Sequence, residues 1–172
     1  MRMMRLVRAT MRHGDSPGRG SVLALVPAGF LIFVILGALA VDSAVAYQGQ
    51  QQLHDSLVAA ANDAASAAVD RSVFYATGTV VLNATEAGQI VCQSVASQHS
   101  AQLHGTRLWM AVQGTTVRLV GESTVYAVFG KAIPGFGERR VRSSVEALAA
   151  TGPGQRPPAT ATSDTPIPLS CS

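Results

Sequence analysis

The sequence predicts an α+β protein in which a single amino-terminal transmembrane helix continues into a long helix and is followed by a small α+β domain with an antiparallel sheet. Three observations support this fold class. An uncharged apolar run occupies residues 21–41, an Ala- and Gln-rich stretch without Pro fills residues 42–71, and runs rich in β-branched residues recur within residues 72–150. Residues 151–172 are rich in Pro and Thr and predict a disordered tail.

Charge and length exclude two classes of protein. The chain has 172 residues, too few for a large multidomain enzyme, and 13% of them are charged against roughly 25% in ordinary soluble domains. The net charge of +3 would suit a nucleic-acid-binding protein. However, residues 1–20 hold five arginines and one aspartate, whereas acidic residues outnumber basic ones by one after residue 41. The basic character therefore belongs to the leader and predicts no nucleic-acid partner.

Residues 21–41 read SVLALVPAGFLIFVILGALAV, without a charged side chain. About 20 apolar residues in a helix cross a hydrocarbon core of roughly 30 Å, so the run predicts a membrane span rather than the core helix of a soluble protein. The arginines precede the span, and the next basic residue beyond it is Arg71. The positive-inside rule then makes residues 1–20 a cytoplasmic leader and places the rest of the chain outside the cytoplasm, in a single-pass protein of the cell membrane.

A secretory signal peptide is the alternative. Ala44 and Ala46 have the small-x-small spacing that signal peptidase accepts, and cleavage there would release a small secreted binding protein that begins at Tyr47. The apolar run is longer than the roughly 7–15 residues usual in signal peptides, which favours the anchor.

Residues 42–71 predict a helical extension of the membrane helix. Leu and Ala recur along it at spacings of three and four, which places them on one narrow face. The members of this stripe are Leu53, Leu57, Ala60, Ala61, Ala64 and Ala68. Two uses of the stripe stay open: packing onto the chain's own globular part, or self-association of two copies.

The domain at residues 72–150 predicts one helix among several strands. Residues 74–82 indicate one or two short strands. A helix then begins with Asn83 or Thr85 as its cap and ends near Gly105. Its expected inward residues are Ile90, Val91, Val95 and Leu103. Residues 107–112 and 116–120 predict a hairpin that turns at Gln113-Gly114, and residues 122–130 and 139–149 predict further strands on either side of a loop at 131–137.

Chemistry-bearing residues form no recognisable catalytic or metal-binding group. The four histidines, His13, His54, His99 and His104, are scattered, and neither a nucleophile motif nor a phosphate-binding loop occurs. We therefore expect no enzymatic activity, no cofactor and no small-molecule substrate. Cys92 and Cys171 both fall on the expected outer side, where a disulfide can persist; a bridge between them and a buried Cys92 beside a free Cys171 are both compatible with the sequence.

The amino-terminal part of the chain resembles a known family. Arg19-Gly20, the apolar helix with an early Pro27, the segment Ala40-Val41-Asp42-Ser43 and the block at residues 60–65 (AANDAA) are similar to the TadE/TadG-like pilus-assembly proteins of tight-adherence systems, which build Flp-type pili. The resemblance covers about residues 18–75. It implies a bitopic envelope protein or minor pilin-like subunit with a pilin-like helix, which works with other pilus-assembly or pilin-like membrane proteins, an assembly platform and a secretion ATPase. Self-association through the stripe would make the chain a homo-oligomer.

Processing separates two roles within that resemblance. Pilin-like members are cut after a glycine and carry a glutamate at the fifth mature position. Cleavage between Gly20 and Ser21 places Leu25 there. The missing carboxylate favours an uncleaved accessory protein that stays in the membrane over a subunit of the pilus shaft.

Overall fold

The computed structural model of the chain describes residues 21–98, 101–150 and 165–171. The elements follow in the order α1 (Ser21–Ala67), α2 (Arg71–Thr77), α3 (Ala84–Ser97), β1 (His104–Gln113), β2 (Thr116–Tyr126), β3 (Glu138–Leu148) and β4 (Ile167–Leu169), with a short 3-10 helix (Gly130–Ala132) between β2 and β3. The expected α+β class, long apolar amino-terminal helix and antiparallel sheet are confirmed. The chain divides into two compact units, residues 1–37 and 38–172.

Helix α1 is 47 residues long and supplies all the described structure of the first unit. Its composition explains its length, because Ala and Leu are its commonest residues and its only proline, Pro27, lies near the beginning. The helix ends at Ala67. Beyond it, Val69 forms an isolated antiparallel bridge with Leu82, and Asp70 begins the next helix.

The second unit contains a four-stranded sheet in the order β3-β2-β1-β4. Each neighbouring pair is antiparallel, with Leu119 opposite Val145 and Trp109 opposite Val120. The β1–β2 hairpin turns at Gly114-Thr115, one residue later than expected, because Gln113 already pairs with Thr116.

The core of the second unit lies between α1 and one face of this sheet. Alternate residues of β2 are buried, as a strand covered on one face requires. Two glycines allow the helix to approach closely: a Cβ at Gly121 would lie 2.9 Å from Leu57 Cδ1, and a Cβ at Gly49 would lie 2.5 Å from Val125 Cγ2. The missing side chains therefore set how near α1 and β2 come.

The prediction of strands at residues 74–82 is wrong, because Arg71–Thr77 forms helix α2. The Asp70 carboxylate accepts hydrogen bonds from the backbone N–H of Ser72 (3.0 Å) and of Val73 (3.2 Å), and Gly78 ends the helix with φ +72°. These two caps outweigh the β-preference of the aromatic and β-branched residues between them. Only Leu82 takes part in a β-bridge.

Helix α3 begins as expected and ends early. Asn83 is its cap, with its side-chain oxygen accepting from the N–H of Thr85 and of Glu86. The helix ends at Ser97, so Leu103 lies outside it although it packs against the core. Gly105 does not end the helix: it takes φ +61° inside β1, where the register with β2 shifts between His104 and Arg107. Pairing with β2 therefore draws these residues into the sheet.

Two further expectations change. Residues 122–126 complete β2 instead of forming a separate strand at 122–130, because β3 pairs with β2 as far as Tyr126. The tail is not wholly disordered, since Ile167–Leu169 forms β4 against β1. Residues 151–164 and the leader at residues 1–20 lie outside the described residues.

Candidate functional site

The apolar part of α1 leaves its large side chains in the open. From Leu25 to Val41 every Leu, Ile, Val and Phe is exposed, and almost none of the most apolar stretch of this helix is buried. Among the described residues α1 is the one helix long and apolar enough to cross a membrane. A core helix of a soluble protein would be buried, so the exposure removes that interpretation; an apolar surface of this extent needs a lipid or protein environment.

The stripe of Leu and Ala lies in the core of the second unit, with five members on α1 and Ala68 directly after its end. Its six members, Leu53, Leu57, Ala60, Ala61, Ala64 and Ala68, are at most 1% exposed. They belong to the same cluster as Val117 and Leu119 of β2 and Val91 of α3. The sequence left two uses of the stripe open, and in the structure the stripe packs within the chain.

Asp42, the first polar residue after the apolar run, is the residue whose role the sequence did not reveal. Its Oδ1 accepts from the backbone N–H of Val128 (2.8 Å) and of Phe129 (2.9 Å), and its Oδ2 accepts from the N–H of Gly130 (2.7 Å). The side chain is buried although it carries a charge. These three bonds, here called the Asp42 clamp, attach the loop after β2 to α1.

The clamp stabilises the ionised carboxylate. The hydrogen bond from Phe129 is the largest influence that lowers the pKa of Asp42 below 3.8; the bonds from Gly130 and Val128 and the charge of Arg139 lower it further, and desolvation opposes them. Gly130 is required for the geometry, because a Cβ there would lie 2.5 Å from the Phe136 carbonyl oxygen and 3.2 Å from Asp42 Oδ2. The one signal of this contact in the sequence is a carboxylate directly after the apolar run, since Phe129 and Gly130 fall within a predicted strand.

A disulfide attaches the end of the chain to α3. Cys92 and Cys171 are joined, with their Cα atoms 5.3 Å apart across a sequence separation of 79. The bond follows directly after β4, where Leu169 pairs with Leu108. Residues 165–171 are therefore held both by strand pairing and by a covalent link.

The processing positions lie at or within α1. Ser21 is its first residue, Leu25 is 68% exposed, and Gly20 lies outside the described residues. Ala44 and Ala46 are inside the continuous helix. A cut after Ala46 would therefore separate Asp42 from the loop that it holds.

The histidines do not come together in the described structure. His54 Nδ1 lies 3.0 Å from Ser143 Oγ, and the His104 ring lies 4.9 Å from that of Tyr126, whereas His13 and His99 are outside the described residues. No group of three or more His, Cys, Asp or Glu residues that could hold a metal ion occurs within the part of the chain that the structure describes.

Comparison of the chain with protein-family models, with curated proteins and with solved structures finds no match.

Proposed function

We propose that this chain is a non-enzymatic, bitopic membrane component of a tight-adherence-type pilus or secretion apparatus. The observation behind the proposal is the contrast along the helix: the large apolar side chains from Leu25 to Val41 are exposed, whereas those of the stripe are buried in the core of the second unit. One continuous helix thus supplies both a surface suited to lipid and the central core element of a folded domain.

The proposed orientation has the amino terminus in the cytoplasm and residues 42–172 outside it. The arginine-rich leader supports this orientation through the positive-inside rule. The Cys92–Cys171 disulfide supports it independently, because such bonds persist in oxidising compartments and are rare in the cytosol.

The role in a pilus apparatus rests on the resemblance of residues 18–75 to the TadE/TadG-like proteins. Within that role, Leu25 at the position of the usual glutamate supports an uncleaved accessory protein that interacts with other pilus-assembly membrane proteins. The alternative is a small secreted binding protein released after Ala46. The Asp42 clamp argues for the uncleaved chain, because cleavage after Ala46 would leave three N–H groups of the loop without their acceptor.

Amino-terminal sequencing of the mature protein tests the proposal directly. We expect the membrane fraction to contain a chain that begins at Met1 and is extracted only by detergent. A chain that begins at Ser21 would contradict the accessory role, because it would have been processed like a pilin. A soluble chain in the culture medium that begins at Tyr47 would refute the anchor itself.

A matched pair of variants tests the anchor without removing the domain. Leu31→Asp combined with Ile35→Asp places two charges in the exposed apolar run, at about 3 kcal/mol each in a bilayer centre, and should release the chain from the membrane. Gln50→Asp combined with Gln51→Asp adds the same charges to exposed positions of the same helix and should leave the chain membrane-bound. Equal partition of the two variants would count against a membrane span.

Deletion of the gene in its own host tests the assembly role. We expect the deletion strain to lack surface fibres in electron micrographs, and expression of the unaltered chain to restore them. Crosslinking in the complemented strain should join the chain to other small membrane proteins. Normal fibres in the deletion strain would refute the role in pilus assembly even if the protein is a membrane protein.

A further inference from the structure

The loop between β2 and β3, residues 127–137, presents a concentration of exposed apolar side chains. Phe136 is 62% exposed, and Val128, Phe129 and Ile133 are each more than half exposed. Single exposed apolar residues are common on protein surfaces, but four within one short loop indicate a contact surface.

The loop has a defined internal structure that holds these side chains outward. The N–H of Ala127 donates to the carbonyl of Gly137 (3.0 Å), and the N–H of Phe136 donates to that of Ile133 (3.1 Å). Gly130 lies at the beginning of the 3-10 helix and donates to Asp42. Because its backbone is tied both to itself and to α1, the loop does not need its apolar side chains for its own packing.

Three contacts within the second unit show in which direction β2 runs along α1. Gly121 lies against Leu57, Val125 lies against Gly49, and the N–H groups of residues 128–130 bind Asp42. As the chain advances along β2, its partner on α1 moves back toward the apolar run. The β2–β3 loop therefore lies beside Asp42, near the first residues of α1 that belong to the second unit.

The charge around the loop suits an anionic surface. Lys131, Arg139 and Arg140 are exposed, and the acidic residues beside them are Glu138, which is exposed, and Asp42, which is buried against the N–H groups of the loop. The exposed groups therefore carry more positive than negative charge. Lys131 Nζ lies 5.3 Å from the centre of the Tyr126 ring. Aromatic side chains beside basic ones are the combination found where proteins contact the interfacial region of a membrane.

We propose that the β2–β3 loop binds the outer surface of the membrane that holds α1, with its apolar side chains among the acyl-chain ends and its basic residues on anionic phosphate headgroups. The inference rests on the membrane anchor of the proposed function. Asp42 directly follows the apolar run, so a membrane crossed by that run has its headgroup layer, about 5–7 Å deep, beside Asp42 and the loop that it holds. Lipid is thus the partner that the chain itself brings to this surface, ahead of any second protein.

Depth-dependent quenching of tryptophan fluorescence tests the contact in the full chain. The chain is reconstituted in vesicles of phosphatidylcholine and phosphatidylglycerol, in a Trp109→Phe background that removes its only tryptophan. Phe136→Trp reports on the loop and Phe30→Trp on the apolar run. Tyr75→Trp reports on α2, which follows the carboxyl end of α1, and Tyr75 is 83% exposed.

We expect lipids brominated near the headgroup to reduce the emission of the Phe136→Trp variant about twofold, since interfacial segments enter to a depth of about 5–10 Å. Emission of the Tyr75→Trp variant should be unchanged. If the Phe136→Trp variant is quenched no more than the Tyr75→Trp variant while lipids brominated deep in the chain quench the Phe30→Trp variant, the loop contact is refuted and the anchor stands. If the Phe30→Trp variant is not quenched by any lipid, the anchor of the proposed function is refuted together with the loop contact.

The headgroup part of the proposal has its own test. Lys131→Gln combined with Arg140→Gln should reduce the quenching of the Phe136→Trp variant in vesicles that contain phosphatidylglycerol and leave it unchanged in pure phosphatidylcholine. Arg118→Gln, on β2 within the sheet, is the matched control and should change neither. Quenching that is independent of phosphatidylglycerol in the unaltered loop would overturn the role assigned to the basic residues.

Discussion

Leu57 and Gly121 fill one space in the core, and substitutions at the two positions should compensate each other. Leu57 has no exposed surface. A Cβ at position 121 would lie 2.9 Å from Leu57 Cδ1, 3.1 Å from its Cδ2 and 3.3 Å from Leu53 Cδ1. A methyl group added by Gly121→Ala therefore collides with Leu57, whereas Leu57→Ala vacates the volume that this methyl group needs.

The magnitudes follow from the groups removed and added. Leu57→Ala deletes three buried carbon atoms, worth about 0.8 kcal/mol each in transfer free energy, and leaves a cavity, so we expect a loss of about 3–5 kcal/mol. Gly121→Ala alone should cost about 1–3 kcal/mol by overpacking. In the double variant the new methyl group enters the vacated volume, so the combined loss should be smaller than the sum by about 1–2 kcal/mol.

Urea unfolding of the full chain in detergent micelles, followed through the fluorescence of Trp109, measures these free energies. Leu36→Ala is the matched control, because Leu36 is 60% exposed in the first unit, and it should change the free energy of unfolding by less than about 0.5 kcal/mol. Strict additivity of the two core substitutions, or a Leu57→Ala effect no larger than that of the control, would refute packing of the stripe within the chain.

Three further predictions concern the disulfide, the buried carboxylate and the β1–β2 turn. Reduction of the Cys92–Cys171 bond, which closes a separation of 79 residues, should lower the free energy of unfolding by up to about 4.5 kcal/mol, and an unchanged urea midpoint in reductant would contradict this. In the folded chain the pKa of Asp42 is lowered below 3.8 chiefly by the N–H of Phe129, and that of Asp70 chiefly by the hydroxyl of Ser72. The unfolded chain therefore takes up protons first as the pH falls. The free energy of unfolding should be constant above about pH 5 and decrease as the pH falls through and below 3.8. Urea titrations from about pH 5 to below pH 3.8 should show a smaller decrease in the free energy of unfolding for Asp42→Asn than for the unaltered chain. An identical decrease would count against the clamp. Thr115 Oγ1 is buried without a hydrogen-bond partner among the described residues, so Thr115→Val should raise the free energy of unfolding by about 1 kcal/mol, and a loss would indicate that the hydroxyl is satisfied.

The missed helix α2 illustrates where composition misleads. Phe74 and Tyr75 favour a strand because such residues stabilise a sheet by packing on its surface. No residue of α2 is buried, so that packing is absent here. The cap residues Asp70 and Gly78 decide the conformation, and both were readable as helix signals. By contrast, the sequence predicts the start of α3 with Asn83 or Thr85 as the cap, and the structure has Asn83.

The strand β4 had no such signal. Three residues, two of them Ile167 and Pro168, are too few for any period to be recognised, and Pro-rich surroundings indicate disorder. Pairing with β1 and the disulfide at Cys171 hold the segment in place. Its order is therefore a product of contacts, not of its own preference.

The sequence by itself determined the features that are local or periodic: the apolar run, the arginine-rich leader before it, and the spacing of the Leu and Ala stripe. A period of 3.6 residues or an uninterrupted apolar stretch is visible in one segment without reference to any other. Only the tertiary structure decided that Asp42 binds a loop up to 88 residues away, that Cys92 joins Cys171, and that Gly121 makes room for Leu57. Each of these depends on two distant segments meeting, and the identity of one partner carries no local mark of the other.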